Sequence, residues 1–183
     1  MSSTEDLFYE DLAIGDRWQS PTRAVNEAEI IGFANLTGDQ DPLHVDPAFA
    51  AETPFRKQIA HGLLGLSFMA GLCSKHPRVQ TAAFLKIENW SFLNPIFIGD
   101  EIHAVNEIVA LDDHGRRHGM VHWRRQILNG KNEVVQEGEL VTLVSRRSPL
   151  RVYRMDSGHA SFPSPKMRPT TETSPTAKTR PER

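Results

Sequence analysis

Cysteine is almost missing from this 183-residue chain. The single thiol, Cys73, leaves no internal disulfide framework, and its apolar neighbours make it a poor candidate nucleophile. No glycine-rich nucleotide loop occurs, and no histidine or cysteine spacing matches a zinc pattern. The uncharged stretch from Gly62 to Cys73 (GLLGLSFMAGLC) is too short to cross a bilayer. The opening MSSTEDLFYEDL is acidic, without the basic region and apolar core of a signal peptide. The expectation is therefore a cytoplasmic protein with no membrane or nucleic-acid partner.

What is present suffices for one folded domain, since 39% of the residues are hydrophobic. Charge is divided unevenly along the chain. Residues 147–183 hold eight Lys or Arg against three Asp or Glu, together with six of the 12 prolines. The remainder holds 13 against 20 and is acidic. A Pro-, Ser- and Thr-rich basic segment with hardly any apolar period after Tyr153 reads as a disordered tail, leaving a folded domain over 1–146.

Local signals then place the elements. Asn26 stands three residues before Glu29 as in a capping box, and Ile30, Phe33 and Ala34 recur on one helical face, predicting a helix over 27–36 that ends at Gly38. Pro42 removes a backbone donor and pushes Asp41 out of the helical region, so Asp39 to His44 is expected to be a loop. Asp46-Pro47 is a helix start, with a short helix to Glu52. The uncharged Gly62–Cys73 segment reads as a helix enclosed on most sides.

From Phe84 the period changes to two. Leu85 and Ile87, Val121 and Trp123, and Val141 and Leu143 mark strands separated by turns at Asn94-Pro95, Gly99-Asp100, Asp112 to Gly115 and Asn129-Gly130. One buried helix followed by four consecutive strands implies an α+β fold, an antiparallel sheet curled around a helix.

The most informative segment is GDQDPLHVD (Gly38–Asp46), followed by Ala60-His61-Gly62. With Phe8-Tyr9-Glu10-Asp11-Leu12, Gly15-Asp16, Phe92-Leu93-Asn94-Pro95 and Gly99-Asp100, it resembles the MaoC-like hydratase family of single-hotdog (R)-specific enoyl-CoA hydratases over roughly residues 8–146. The resemblance implies a hotdog fold and a homodimer with ligand tunnels near the subunit interface, and neither a cofactor nor a metal is expected. It also implies addition of water to trans-2-enoyl-CoA to give (R)-3-hydroxyacyl-CoA. The family's catalytic aspartate falls on Asp39, its histidine on His44, and the amide that polarises the thioester carbonyl on Gly62.

Those groups suit the chemistry. A carboxylate and an imidazole can jointly hold one water, with Asp39 as principal base and His44 orienting the water and sharing the proton transfer. An orphan amide at a helix start can hold the charge that develops on the thioester oxygen. His61 is expected to shape the turn. Two departures stand out: Asp41 replaces the asparagine usual in relatives, and Ala70 stands where some carry serine, with Ser67 one turn earlier.

Other readings have less support. Asp39, Asp41, His44 and Asp46 could be metal ligands, but Pro42 restricts their convergence. His114, His118 and His122 read as an exposed hairpin, and Trp90, Phe92 and Phe97 as core aromatics. A hotdog thioesterase would attack the carbonyl of the same ligand class, and a non-catalytic acyl-CoA-binding subunit would not need both Asp39 and His44.

Overall fold

A computed structural model describes residues 6–147, so the expected basic tail lies outside the described residues beyond Arg147. After a single 3-10 turn (Tyr9–Asp11) come β1 (Arg17–Gln19), β2 (Arg23–Ala24), α1 (Glu27–Thr37), α2 (Pro42–Val45), α3 (Pro47–Glu52) and α4 (Gly62–Cys73). Four long strands follow: β3 (Thr81–Phe92), β4 (Glu101–His114), β5 (His118–Asn129) and β6 (Val134–Ser145). All pairings are antiparallel, in the order β1-β4-β5-β6-β3, with β2 also on β4. This is the expected α+β architecture. The two short N-terminal strands carry no clear period in the sequence and were not anticipated.

Capping chemistry acts as read. Asn26 accepts from the Glu29 amide at 3.0 Å while the Glu29 carboxylate takes the Asn26 amide, fixing the start of α1. Asp46 accepts from the amides of Ala48 and Phe49 and starts α3 with Pro47 in its first turn. Gly38 ends α1 in the left-handed region at φ 80°, a conformation costly for other residues.

The sheet wraps one face of α4. Leu64, Phe68, Met69 and Cys73 from the helix meet Ile102 and Ala104 of β4, Ile127 of β5 and Leu140 of β6, with Ile30 of α1 in the same core. A second cluster gathers Ile108, Val121, Trp123 and Val144 around Leu12, where Trp123 donates to the Thr142 hydroxyl at 2.9 Å. Apolar burial of this kind is the main force holding such a fold.

One expectation needs correction. α4 is not enclosed on most sides: Leu63 is 60% exposed, and Ser67, Ala70, Gly71 and Ser74 share an exposed face. Leu85 and Ile87, which mark the first long strand in the sequence, lie outside the core. Among the described residues β3 is an edge strand, paired with β6 alone, and it displays Phe84, Leu85, Ile87 and Phe92 to solvent. The histidine-bearing hairpin is exposed as expected at His114, with His122 bonded to Asp112 at 3.0 Å. No described helix is long and apolar enough to cross a membrane.

Replacing Asn26 by Ala removes the α1 cap and is expected to lower unfolding stability by about 1 kcal/mol, whereas Asn26→Gly lowers it by only a few tenths. Urea midpoints of the two variants against wild type would show this, and equal losses would refute the capping account.

Candidate active site

The αL turn at Gly38 reverses the chain after α1 and sets Asp39 at the start of a short polar crossing. Asp41 then spends its carboxylate as a cap, accepting from the Leu43 amide at 2.9 Å, with Pro42 at the first helical position. His44 therefore sits on the single turn of α2 rather than on the expected loop. Pro42 starts that turn because its missing amide would have no partner there anyway.

The segment before α4 holds this crossing from the other side. His44 Nδ1 donates to the Ile59 carbonyl at 2.8 Å, and the buried Gln58 amide donates to the His44 carbonyl at 2.9 Å. His61, only 2% exposed, donates from Nε2 to the Asp39 carbonyl at 2.9 Å. A ring nitrogen facing a carbonyl oxygen must carry the proton. Neutral His44 is thus the Nδ1–H tautomer, and its Nε2 keeps a lone pair. The two imidazoles stack with centroids 3.8 Å apart, and Phe33 of α1 packs on His61 at 5.1 Å.

The outcome is a convergence of one oxygen and two nitrogens. Ligand atoms of Asp39, His44 and His61 all lie within 4.8 Å of one another. Two acceptors at that separation can share one water at ordinary hydrogen-bond length. The same donor set could hold a divalent cation. The tetrad Asp39, Asp41, His44 and Asp46 does not form as a ligand set, since Asp41 and Asp46 bind amides of the helices they start.

Gly62 opens α4 directly after His61, and its amide is one of the first-turn donors that no helical carbonyl can reach. It shares a cavity of about 330 Å³ with His44, Ile59, Phe92, Asn94 and Gln136. A Cβ at Gly62 would lie 2.9 Å from the Phe92 ring, so any larger residue there requires that ring to shift. Gln136 of β6 donates to the Gly62 carbonyl at 3.1 Å and accepts from Trp90 at 3.3 Å, tying the helix start to the sheet.

The structure sets Asp39 beside His44 and His61, and puts His44 and Gly62 on one cavity whose lining does not include Asp39. Sequence reasoning missed Gln58 and Gln136, whose identities carry no local signal. It also set Phe92 aside as core, whereas Phe92 is 54% exposed and walls the cavity. Ser67 does not replace the absent serine of Ala70: its hydroxyl is bound to the Leu63 carbonyl at 2.9 Å.

Comparison with known proteins places the family and the fold. The model of the MaoC like domain matches residues 12–127. An (R)-specific enoyl-CoA hydratase of Aeromonas caviae is 43% identical over 84 residues, which are 46% of this chain and 62% of that protein. A 3-hydroxybutyryl-CoA dehydratase of Methylorubrum extorquens is 29% identical over 84% of this chain and 96% of its own length. The structure of the A. caviae (R)-hydratase superposes with a TM-score of 0.64 at 32% identity, covering 73% of this chain and 97% of that one. A Mycobacterium tuberculosis protein described as a double hotdog superposes at 0.68 with 17% identity, a likeness of fold. The six-stranded sheet around α4 is a hotdog, and the chain belongs to the MaoC-like domain family.

Proposed function

We propose that this protein interconverts trans-2-enoyl-CoA and (R)-3-hydroxyacyl-CoA by addition and removal of water. The observation that carries the reading is the meeting of Asp39 and His44 within 4.8 Å, where His44 and the helix-start Gly62 line one cavity. A water held by the Asp39 carboxylate and His44 Nε2 attacks C3 of the enoyl group. Its proton passes to that pair as the O–C3 bond forms, and the pair returns that proton to C2 as the enolate collapses, which leaves Asp39 and His44 as they began. The thioester oxygen gains charge as the double bond opens, and the Gly62 amide with the α4 dipole stabilises it. His61 and Gln58 are positioning residues that act through the backbone carbonyls of Asp39 and His44.

The active form is proposed to be a homodimer. β3 leaves one edge unpaired while showing Phe84, Leu85 and Ile87, and a second copy related by a two-fold axis would cover it. The cytoplasm is the proposed place of action, because CoA thioesters are intracellular metabolites. The domain over 1–146 is proposed to be sufficient for catalysis.

Three outcomes are expected. On crotonyl-CoA the purified protein consumes the enoyl-thioester absorbance without releasing thiol, and Asp39→Ala and His44→Ala each lower kcat by about a hundredfold to ten-thousandfold. Thiol release would instead establish a thioesterase, and silence on crotonyl and longer enoyl-CoAs would favour a binding subunit. Sedimentation should show a dimer for wild type and a shift to monomer when Leu85 and Ile87 are both changed to Lys; a wild-type monomer would refute the edge pairing. Deleting residues 148–183 should leave the Michaelis constant for enoyl-CoA unchanged, and a large rise would give the basic segment a part in binding.

A further inference from the structure

The inward positions of β5 run Val121, Trp123, Arg125 and Ile127, so a guanidinium stands where the alternation demands an apolar side chain. Arg125 Nε is buried with no hydrogen-bond partner, and Nη1 reaches only the Met69 sulfur of α4 at 3.8 Å. Among the described residues, none of the ion pairs involves Arg125. The guanidinium lies 5.3 Å from the centroid of the Trp123 ring, and burial pulls its pKa down from the ordinary arginine value. A charge in such a place is costly unless an anion joins it. Local rules of this kind are broken at functional or strained positions.

The cation faces space. A cavity of about 230 Å³ is lined by Arg125, Asn106, Cys73, Trp123, Thr142 and Ala70, among others. Asn106, opposite Arg125 in the β4–β5 register, has a buried and unpartnered Oδ1, and its Nδ2 is spent on the His76 carbonyl at 2.6 Å. The Thr142 hydroxyl accepts from Trp123, which leaves its own proton to donate. Arg125 and Thr142 thus offer donors for the oxygens of a small anion, and a planar guanidinium suits a carboxylate in particular.

The cavity's position suggests where such a carboxylate would come from. α4 starts at Gly62 in the first cavity and places Ala70 and Cys73 in the second, a rise of about 12 Å from Gly62 to Ala70. β3 follows the same course, with Phe92 at the first cavity and Phe84 and Thr81 at the second. We propose that the Arg125 cavity takes a carboxylate, the distal end of the acyl group, so that the preferred substrates are enoyl-CoA thioesters of dicarboxylic acids. This assignment of the substrate class rests on the hydratase reading, whereas the carboxylate site itself does not.

The test uses the full chain with a medium-chain 2-enedioyl-CoA and the monoacid enoyl-CoA of equal length. Wild type should favour the diacid in kcat/KM by at least about tenfold, a modest return for a charge-assisted pair. Arg125→Met should erase or invert that ratio, and Arg125→Lys should keep part of it. The melting temperature of Arg125→Met should not fall, because the change removes an unpaired buried charge. A fall in melting temperature with an unchanged substrate ratio would make Arg125 structural and overturn the proposal. Tryptophan fluorescence, titrated with adipate in wild type and Arg125→Met, reads the cavity independently of turnover. Arg125-dependent adipate binding without diacid preference would keep the carboxylate and overturn its assignment to the acyl end, making a free dicarboxylate the ligand. Neither effect would overturn both. Should wild type hydrate neither thioester, the hydratase reading fails, while the adipate titration still decides the cavity.

Discussion

Two imidazole-to-carbonyl hydrogen bonds hold the candidate site together. His44 to Ile59 spans 15 residues and His61 to Asp39 spans 22, and they cross-link the segment after α1 to the segment before α4. The second segment is itself fastened to the connection between β3 and β4, since Ala60 donates to the Ile96 carbonyl at 2.8 Å and Ile59 bridges to Phe97. The acid, the imidazole and the helix-start amide are therefore suspended from one rigid frame. The bonds also choose a tautomer: committing Nδ1 of His44 to a carbonyl leaves Nε2 as an acceptor for water.

The interior of the hotdog is apolar wherever it only has to be stable. Isoleucine, leucine and methionine side chains between α4 and the sheet are excluded from water almost completely. The departures from that pattern gather along α4. At its start Gln136 ties the backbone to the sheet and His61 ties it to the crossing after α1, and towards its end Arg125 and Asn106 border a second cavity. Buried polar groups persist against a desolvation cost, so their clustering at the two ends of one helix is informative. It fits a ligand that is processed at one end and recognised at the other.

Helix starts, helix ends and turns were legible because they depend on neighbours in the chain. The Asn26–Glu29 box, the αL Gly38 and the Asp46-Pro47 start each need only a few adjacent residues, and each stands where the pattern placed it. The period of two after Phe84 was equally readable as strands, but not the face each residue would show. Leu85 and Ile87 look like core residues in the sequence, yet β3 lies at the sheet edge and turns them outward. Strand order is a long-range property, and alternation does not encode it.

The sequence alone determined the set of local elements, the family resemblance and the candidate trio Asp39, His44 and Gly62, because capping, periodicity and motif spacing are properties of contiguous residues. Only the tertiary structure decided that His44 rides on a helical turn, that Gln58, His61 and Gln136 brace the site, and that an inward Arg125 meets no anion among the described residues. Those facts require side chains many residues apart to come within hydrogen-bond reach, and that distance is set by how the helix packs into the sheet.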